Sequence, residues 1–195
     1  MAAEKNDRTK TRRVRLHVDG PLATGGALRL TAAQAHYLGK VMRLKPGDSL
    51  SLFNGRDGEW RATLTGLQRG AGTLAVETLT RPQTAEAGPV LVFALLKSAR
   101  NALLIEKSVE LGVAALQPVT TAHGQTRRIN LERCRAQAIE AAEQCGRLSL
   151  PELHPLVSLP RLLADWPAER PLMFCDETGG SPALEALGAA PAAPA

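Results

Sequence analysis

Short runs of alternating apolar and polar residues fill much of the first part of the chain. VRLHV at 14–18, SLSLF at 49–53, WRATL at 60–64 and TLAVE at 73–77 carry partial period-two spacing, which predicts half-buried β-strands. NGRDG at 54–58 separates the second run from the third; its residues tolerate positive φ and predict a hairpin loop. From Thr31 the period changes, with Ala35, Leu38 and Met42 at helical spacing. Thr31 followed by Gln34 is a capping-box pair, so a helix should start there and stop before Pro46-Gly47. These elements predict a small β-barrel or curled sheet carrying one short helix.

RPQTAEAGP at 81–89 reads as a linker, and the pattern beyond it is different. VLVFALL at 90–96 is a continuous apolar run, as expected of a parallel strand covered on both faces. RNALLIEKSVELG at 100–112 reads as a helix closed by Gly112, and VAALQPV at 113–119 as a second strand, together a βαβ unit. Asn130 caps a longer helix over 131–146. Its apolar side is Leu131, Cys134, Ala138, Ala141 and Cys145, and its opposite stripe is Arg133, Gln137, Glu140, Gln144 and Arg147. LPRLLADW at 159–166 predicts a short helix and PLMFC at 171–175 a third strand. The expected fold class is therefore α/β with a separate small β-barrel. The expected divisions are a basic disordered arm at 1–13, the barrel at 14–82, a linker at 83–89, a mostly parallel-sheet domain at 90–178 and a flexible Gly/Ala/Pro tail at 179–195.

Charge sharpens the division. Residues 1–82 hold 14 Lys+Arg against 7 Asp+Glu, whereas residues 83–195 hold 10 against 12. The excess positive charge lies wholly in the first part, and a polyanion such as RNA is a natural partner for it. Aromatic residues are only 3% of the chain, which disfavours base stacking as the main binding mode. No run approaches a membrane span and the N-terminus has no apolar signal core. Cys134, Cys145 and Cys175 include no C-x-x-C pair, and their odd number suits a reducing, cytoplasmic setting; all three are expected in the core.

Candidate chemistry is sparse on pattern alone. There is no G-x-G-x-x-G, Walker loop or H-E-x-x-H, and His17, His36, His123 and His154 make no metal-ligand spacing. Ligands of open parallel sheets bind beyond the carboxyl ends of the strands. That places Lys97, the 118–124 loop and 175–177 at the expected site. Lys107 and Glu110 read as an exposed i, i+3 pair. Lys40, Arg43 and Lys45 form a basic cluster that serves equally well as a solvated face or as an RNA grip.

In combination the motifs carry more. RLHVDGPLA, AHYLGKVMRLKPGD, LFNGRDGEWRA, LLKSARNALLIEKSVELGV and EAAEQCGRLSLPEL occur in this order between Arg15 and Glu177. Together they resemble the ribosomal RNA small subunit methyltransferase E family. The resemblance implies S-adenosylmethionine-dependent methylation of N3 of one uridine in bacterial 16S rRNA, on the 30S subunit. It also implies an N-terminal PUA-like barrel that grips RNA, a C-terminal SPOUT domain with a trefoil knot, a cytoplasmic homodimer and no metal. Arg15, His36, Arg43, Lys45 and Asp48 fall on the family's N-terminal pattern. Lys97, Lys107, Glu110, Glu143, Gln144 and Arg147 fall on its C-terminal one. The resemblance thus implies Lys97 and Arg147 as catalytic residues, Glu177 near the methyl donor, and Arg15, Lys40, Arg43 and Lys45 as RNA contacts. Ala102 and His123 depart from the family, which has an acid and an arginine there. The family's GPEGG loop and later LR-ETA-like segment do not occur in these residues. The chain is therefore expected to lack the donor-binding knot and to be inactive alone. The alternatives are a non-catalytic RNA-binding module and a structural α/β protein.

Overall fold

The structure is a computed structural model that describes residues 14–124 and 126–176, with Thr178, Gly179, Pro182 and Glu185. The alternating runs become strands β1 (Arg15–His17), β3 (Ser49–Phe53), β4 (Glu59–Gln68) and β5 (Ala71–Arg81). A further strand, β2 (Ala27–Leu30), lies in a glycine-flanked stretch whose pattern does not announce it. The sheet order is β1-β3-β4-β5-β2. β1 runs parallel to β3, and the other neighbours are antiparallel. Phe53 pairs with Glu59, so the 54–58 segment is the expected hairpin loop. Register shifts between Glu59/Trp60, Arg61/Ala62 and Leu64/Gly66 bend the long β4–β5 hairpin. The bent sheet encloses Leu16, Leu30, Leu38, Leu52, Leu64 and Leu74. Among the described residues no main-chain pairing joins β1 to β2, so the sheet stays open there rather than closing as a full barrel.

The expected single helix is a composite. Helix α1 (Ala32–His36) starts at the predicted capping box: the Gln34 amide donates to Thr31 Oγ1 at 3.2 Å, and the Thr31 amide donates to Gln34 Oε1 at 2.9 Å. It then widens into a π turn at Tyr37–Val41, a geometry concentrated at functional sites.

The second sheet is parallel and starts with β6 (Val90–Ala94) and β7 (Ala115–Thr120), joined by α2 (Ser98–Glu110). α3 (Leu131–Cys145) packs against α2. The two short strands β8 (Glu152–Leu153) and β9 (Val157–Ser158) both pair with β7, and α4 (Leu159–Ala164) follows. Ile105, Val109 and Leu116 are at most 1% exposed in the core between helices and sheet. Burying each is worth about 1.5–3 kcal/mol. Phe53, although carried by β3, belongs to this second core and is fully buried there.

Two expectations fail. Residues 171–175 form no strand: Leu172, Met173 and Phe174 are 46%, 43% and 76% exposed, and among the described residues they pair with no strand. The place beside β7 belongs to β8 and β9, too short to show as an apolar run. Of the cysteines only Cys134 is buried, whereas Cys145 and Cys175 are exposed. Glu177, the 1–13 arm and most of the 179–195 tail lie outside the described residues. Among those described, no helix is long and apolar enough to cross a membrane, and no three acidic, His or Cys side chains form a metal site.

Candidate active site and nucleic-acid interface

At the carboxyl ends of β6 and β7 lies a cleft of about 440 Å³. Its walls are Ala94, Leu95, Leu96, Lys97, Arg100, Thr121, His123, Gly124 and Thr126. Lys97 is the N-cap residue of α2, in extended conformation with no side-chain capping bond. Asn101 braces the approach to it, accepting from the Leu96 amide at 3.0 Å and donating to the Leu96 carbonyl at 2.9 Å. Arg100, three residues on, reaches the same cleft. Lys97, Arg100 and His123 are all exposed; among the described residues none of them engages a carboxylate and no acidic side chain lines the cleft. Two permanent cations and an imidazole in a one-signed recess attract phosphate or an anionic base. A larger groove, of about 580 Å³, lies at the amino ends of β7 and β8, lined partly by Glu132, Arg135 and Glu152. Its mixed charge and place at the wrong strand ends make it the weaker candidate.

A second cationic surface belongs to the first sheet. Lys40, in the π turn, and Arg43 and Lys45, just after it, are exposed and make no ion pair among the described residues. Arg43 holds φ at 57°, an uncommon left-handed conformation for a non-glycine residue. The Asp48 carboxylate accepts from the Lys45 amide at 2.7 Å and fixes the turn. Arg29, opposite Thr73, and Arg69, in the β4–β5 turn, stand at the same end of the sheet as Lys40. There Gly72 pairs with both Leu30 and Leu67, and Leu67 packs on Gly39.

Other expected site residues are placed elsewhere. Arg15, expected on RNA, is spent on the junction between the two sheets. Its Nε donates to Glu59 Oε2 at 2.9 Å, and its terminal nitrogens donate to the carbonyls of Ala142, Glu143 and Arg147 at 2.5, 3.3 and 3.0 Å. Arg147, expected at the reaction centre, is 9% exposed. Gly146 ends α3 in the left-handed conformation with φ 84°, which turns Arg147 off the helical stripe that sequence spacing assigned to it. Arg147 donates to Glu86 Oε2 at 2.7 Å, to Ser149 Oγ at 3.2 Å and to the Val109 carbonyl at 3.3 Å. Burial pushes Glu86 up, but hydrogen bonds from Ser149 and Arg147, with the Arg147 charge, outweigh it and hold the carboxyl below its usual range. Glu143 accepts from the His17 amide at 2.9 Å, and burial raises its pKa. Lys107 pairs with Glu110 at 2.9 Å and with Glu106 at 3.0 Å on the solvated face of α2, where these carboxylates raise its pKa. Gln144 is exposed. Sequence reasoning missed Arg100, though its spacing from Lys97 would put both on one side of a helix. It also missed Glu59 and Glu86, whose partners are distant in sequence.

The comparisons with known proteins fit this division. An RNA methyltransferase domain profile matches residues 86–193, and an RNA methyltransferase PUA domain profile matches residues 30–77. The ribosomal RNA small subunit methyltransferase E of Rickettsia conorii is 33% identical over 149 residues, 74% of this chain and 60% of the relative. The protein of the same name from a Synechocystis strain is 37% identical over 124 residues, 63% of this chain and 41% of the relative. The chain thus spans less than two thirds of the length of these relatives. Among solved structures, a ribosomal RNA small subunit methyltransferase E from Neisseria gonorrhoeae, bound to S-adenosylmethionine, superposes with a TM-score of 0.71 at 26% identity. The match covers 80% of this chain and 67% of that one. A Legionella pneumophila protein solved with the same cofactor superposes at 0.72 and 28% identity, with the same coverage. A profile that spans more than half of the chain, with relatives and structures agreeing across both sheets, shows that the chain belongs to the RNA methyltransferase family, of the ribosomal RNA small subunit methyltransferase E type.

Proposed function

We propose that this chain is part of an enzyme that methylates N3 of one uridine in bacterial 16S rRNA, with S-adenosylmethionine as donor. The observation that carries the reading is the cationic cleft at the carboxyl ends of β6 and β7, lined by Lys97, Arg100 and His123, in a chain of an RNA methyltransferase family. The π-turn cations Lys40, Arg43 and Lys45 hold RNA phosphates, and the cleft receives the target nucleotide. N3 of uridine is a weak acid whose proton must leave before or during methyl transfer. Lys97, at the mouth of the cleft, stabilises the negative charge that develops on the uracil, while Arg100 holds a neighbouring phosphate. Positioning and electrostatics supply most of the rate in such a reaction.

The described residues fit the RNA side of the reaction and not the donor side. The cleft walls include no carboxylate for a ribose hydroxyl and no acid to face a sulfonium. S-adenosylmethionine, when bound, supplies the electrophilic methyl group. These residues by themselves should bind it weakly or not at all, and in the working homodimer the donor site draws on more than they provide. Such an enzyme works in the cytoplasm, on the 30S subunit.

The test is Lys97→Ala in the full-length protein, assayed for methyl transfer to 30S particles. A fall of about a hundredfold, the lower end of the range for losing one electrostatic stabiliser, is expected, with thermal stability unchanged because Lys97 is exposed. Transfer within twofold of wild type would overturn the assignment.

A further inference from the structure

Beyond the linker at 82–89, whose Gln83 accepts from the Gly58 amide and whose Glu86 is held by Arg147 and Ser149, the two sheets meet directly. Arg15 projects from β1 and donates to three carbonyls at the C-terminal end of α3, where the helix leaves orphan acceptors and partial negative charge. The same guanidinium meets Glu59 and lies 4.4 Å from the centroid of the Phe53 ring, which is buried in the second core. The contacts also run the other way: Glu143, on α3, accepts from the His17 amide at 2.9 Å. At the end of β5, Arg81 donates to the Gly146 carbonyl at 2.9 Å. Two strands of the first sheet, β1 and β5, are thereby fastened to the end of one helix of the second. Only a planar, five-donor group can serve a carboxylate, three carbonyls and a ring face together.

Resting on the function proposed above, we propose that this junction locks the two domains as one rigid body, and that Arg15 is a positioning residue for the RNA. It acts by fixing the distance and angle between the Lys40–Arg43 grip and the Lys97 cleft. RNA engaged by the grip then meets the cleft at high effective concentration, a gain that depends on geometry and adds no contact. The side chain of Arg15 is 11% exposed, so a phosphate has little access to it.

The experiment is amide residual dipolar couplings of the full-length protein, with binding of a 16S rRNA fragment measured on the same samples. Wild type should need one alignment tensor for both domains. Arg15→Met should need two, with each domain's own couplings still native, and RNA affinity should fall by about tenfold. Arg15→Lys, which keeps the charge and loses the fork, should give the same separation in weaker form and serves if Arg15→Met does not fold. A single tensor in the folded variant would overturn the lock. Two tensors with unchanged RNA affinity would overturn the positioning role. A wild-type protein that ignores the RNA would refute the proposed function, and the positioning role with it, while the tensors report the junction independently.

Discussion

Replacing Arg147 by Met separates a structural role for this arginine from a catalytic one. The substitution keeps an apolar stem in a site only 9% exposed and deletes the donors to Glu86, Ser149 and the Val109 carbonyl. Removing one partner of a fully buried ion pair costs about 3–5 kcal/mol. The side chain of Glu86 is 29% exposed and regains water when its partner leaves, so the charged bond is worth nearer the 1.5 kcal/mol end of its usual range. The Val109 carbonyl keeps the Gly112 amide as a donor, so it and the Ser149 hydroxyl, each losing one partner, together add about 1 kcal/mol, for a total of about 2–3 kcal/mol. For a protein of this size, each kcal/mol moves Tm by about 2–4 °C, giving a loss of roughly 4–12 °C. The difference has a defined pH dependence. Glu86 is held below its ordinary 4.5, so its contribution is complete above that pH and is lost as pH falls through the depressed value. Urea unfolding of both proteins at neutral pH and in acid reads this directly, with m unchanged. A neutral-pH difference under about 0.5 kcal/mol would refute the reasoning, since that is the usual size for surface substitutions. So would a fall of about a hundredfold in methyl transfer per folded molecule, which would return Arg147 to the reaction.

Glu143→Gln should behave in the opposite sense. The half-buried Glu143 carboxyl has a pKa raised by desolvation, so native stability falls as pH rises from 4.5 through the raised value. The amide oxygen still accepts from His17, and the variant should be at least as stable as wild type at pH 7, with the difference vanishing below pH 4.5; calorimetry showing a clear loss at pH 7 would contradict this. Removing Lys40, Arg43 and Lys45 together should weaken RNA binding at every sequence. It should flatten the slope of log affinity against log salt by about 2–3, as expected for that many lost phosphate contacts; an unchanged slope would exclude them from the grip.

Much of the fold was legible because local signals agreed with it. The capping box at Thr31, the NGRDG hairpin and the Asn130-capped helix appear where pattern placed them, and of the continuous apolar run at 90–96 residues Val90–Ala94 form the strand. β2, β8 and β9 were hidden for one shared reason: they are short, and β5 and β7 rather than their own periodicity define them. PLMFC shows the converse, an apolar run that pairs with no strand among the described residues. At the site, Lys97 was legible from its place after a buried strand. Arg147 was read onto the helical stripe, and the left-handed Gly146 turns it off that stripe; the carbonyls that Arg15 meets lie 127–132 residues away, beyond any local pattern. Nothing local in Glu59 or Glu86 reveals partners 44 and 61 residues away.

The central claim is tested most directly by incubating the full-length protein with tritiated S-adenosylmethionine and unmethylated 30S subunits, then digesting the 16S rRNA to nucleosides. One methyl group per rRNA, recovered as N3-methyluridine and lost with Lys97→Ala, is the predicted result. No incorporation, or label on another base, would contradict it.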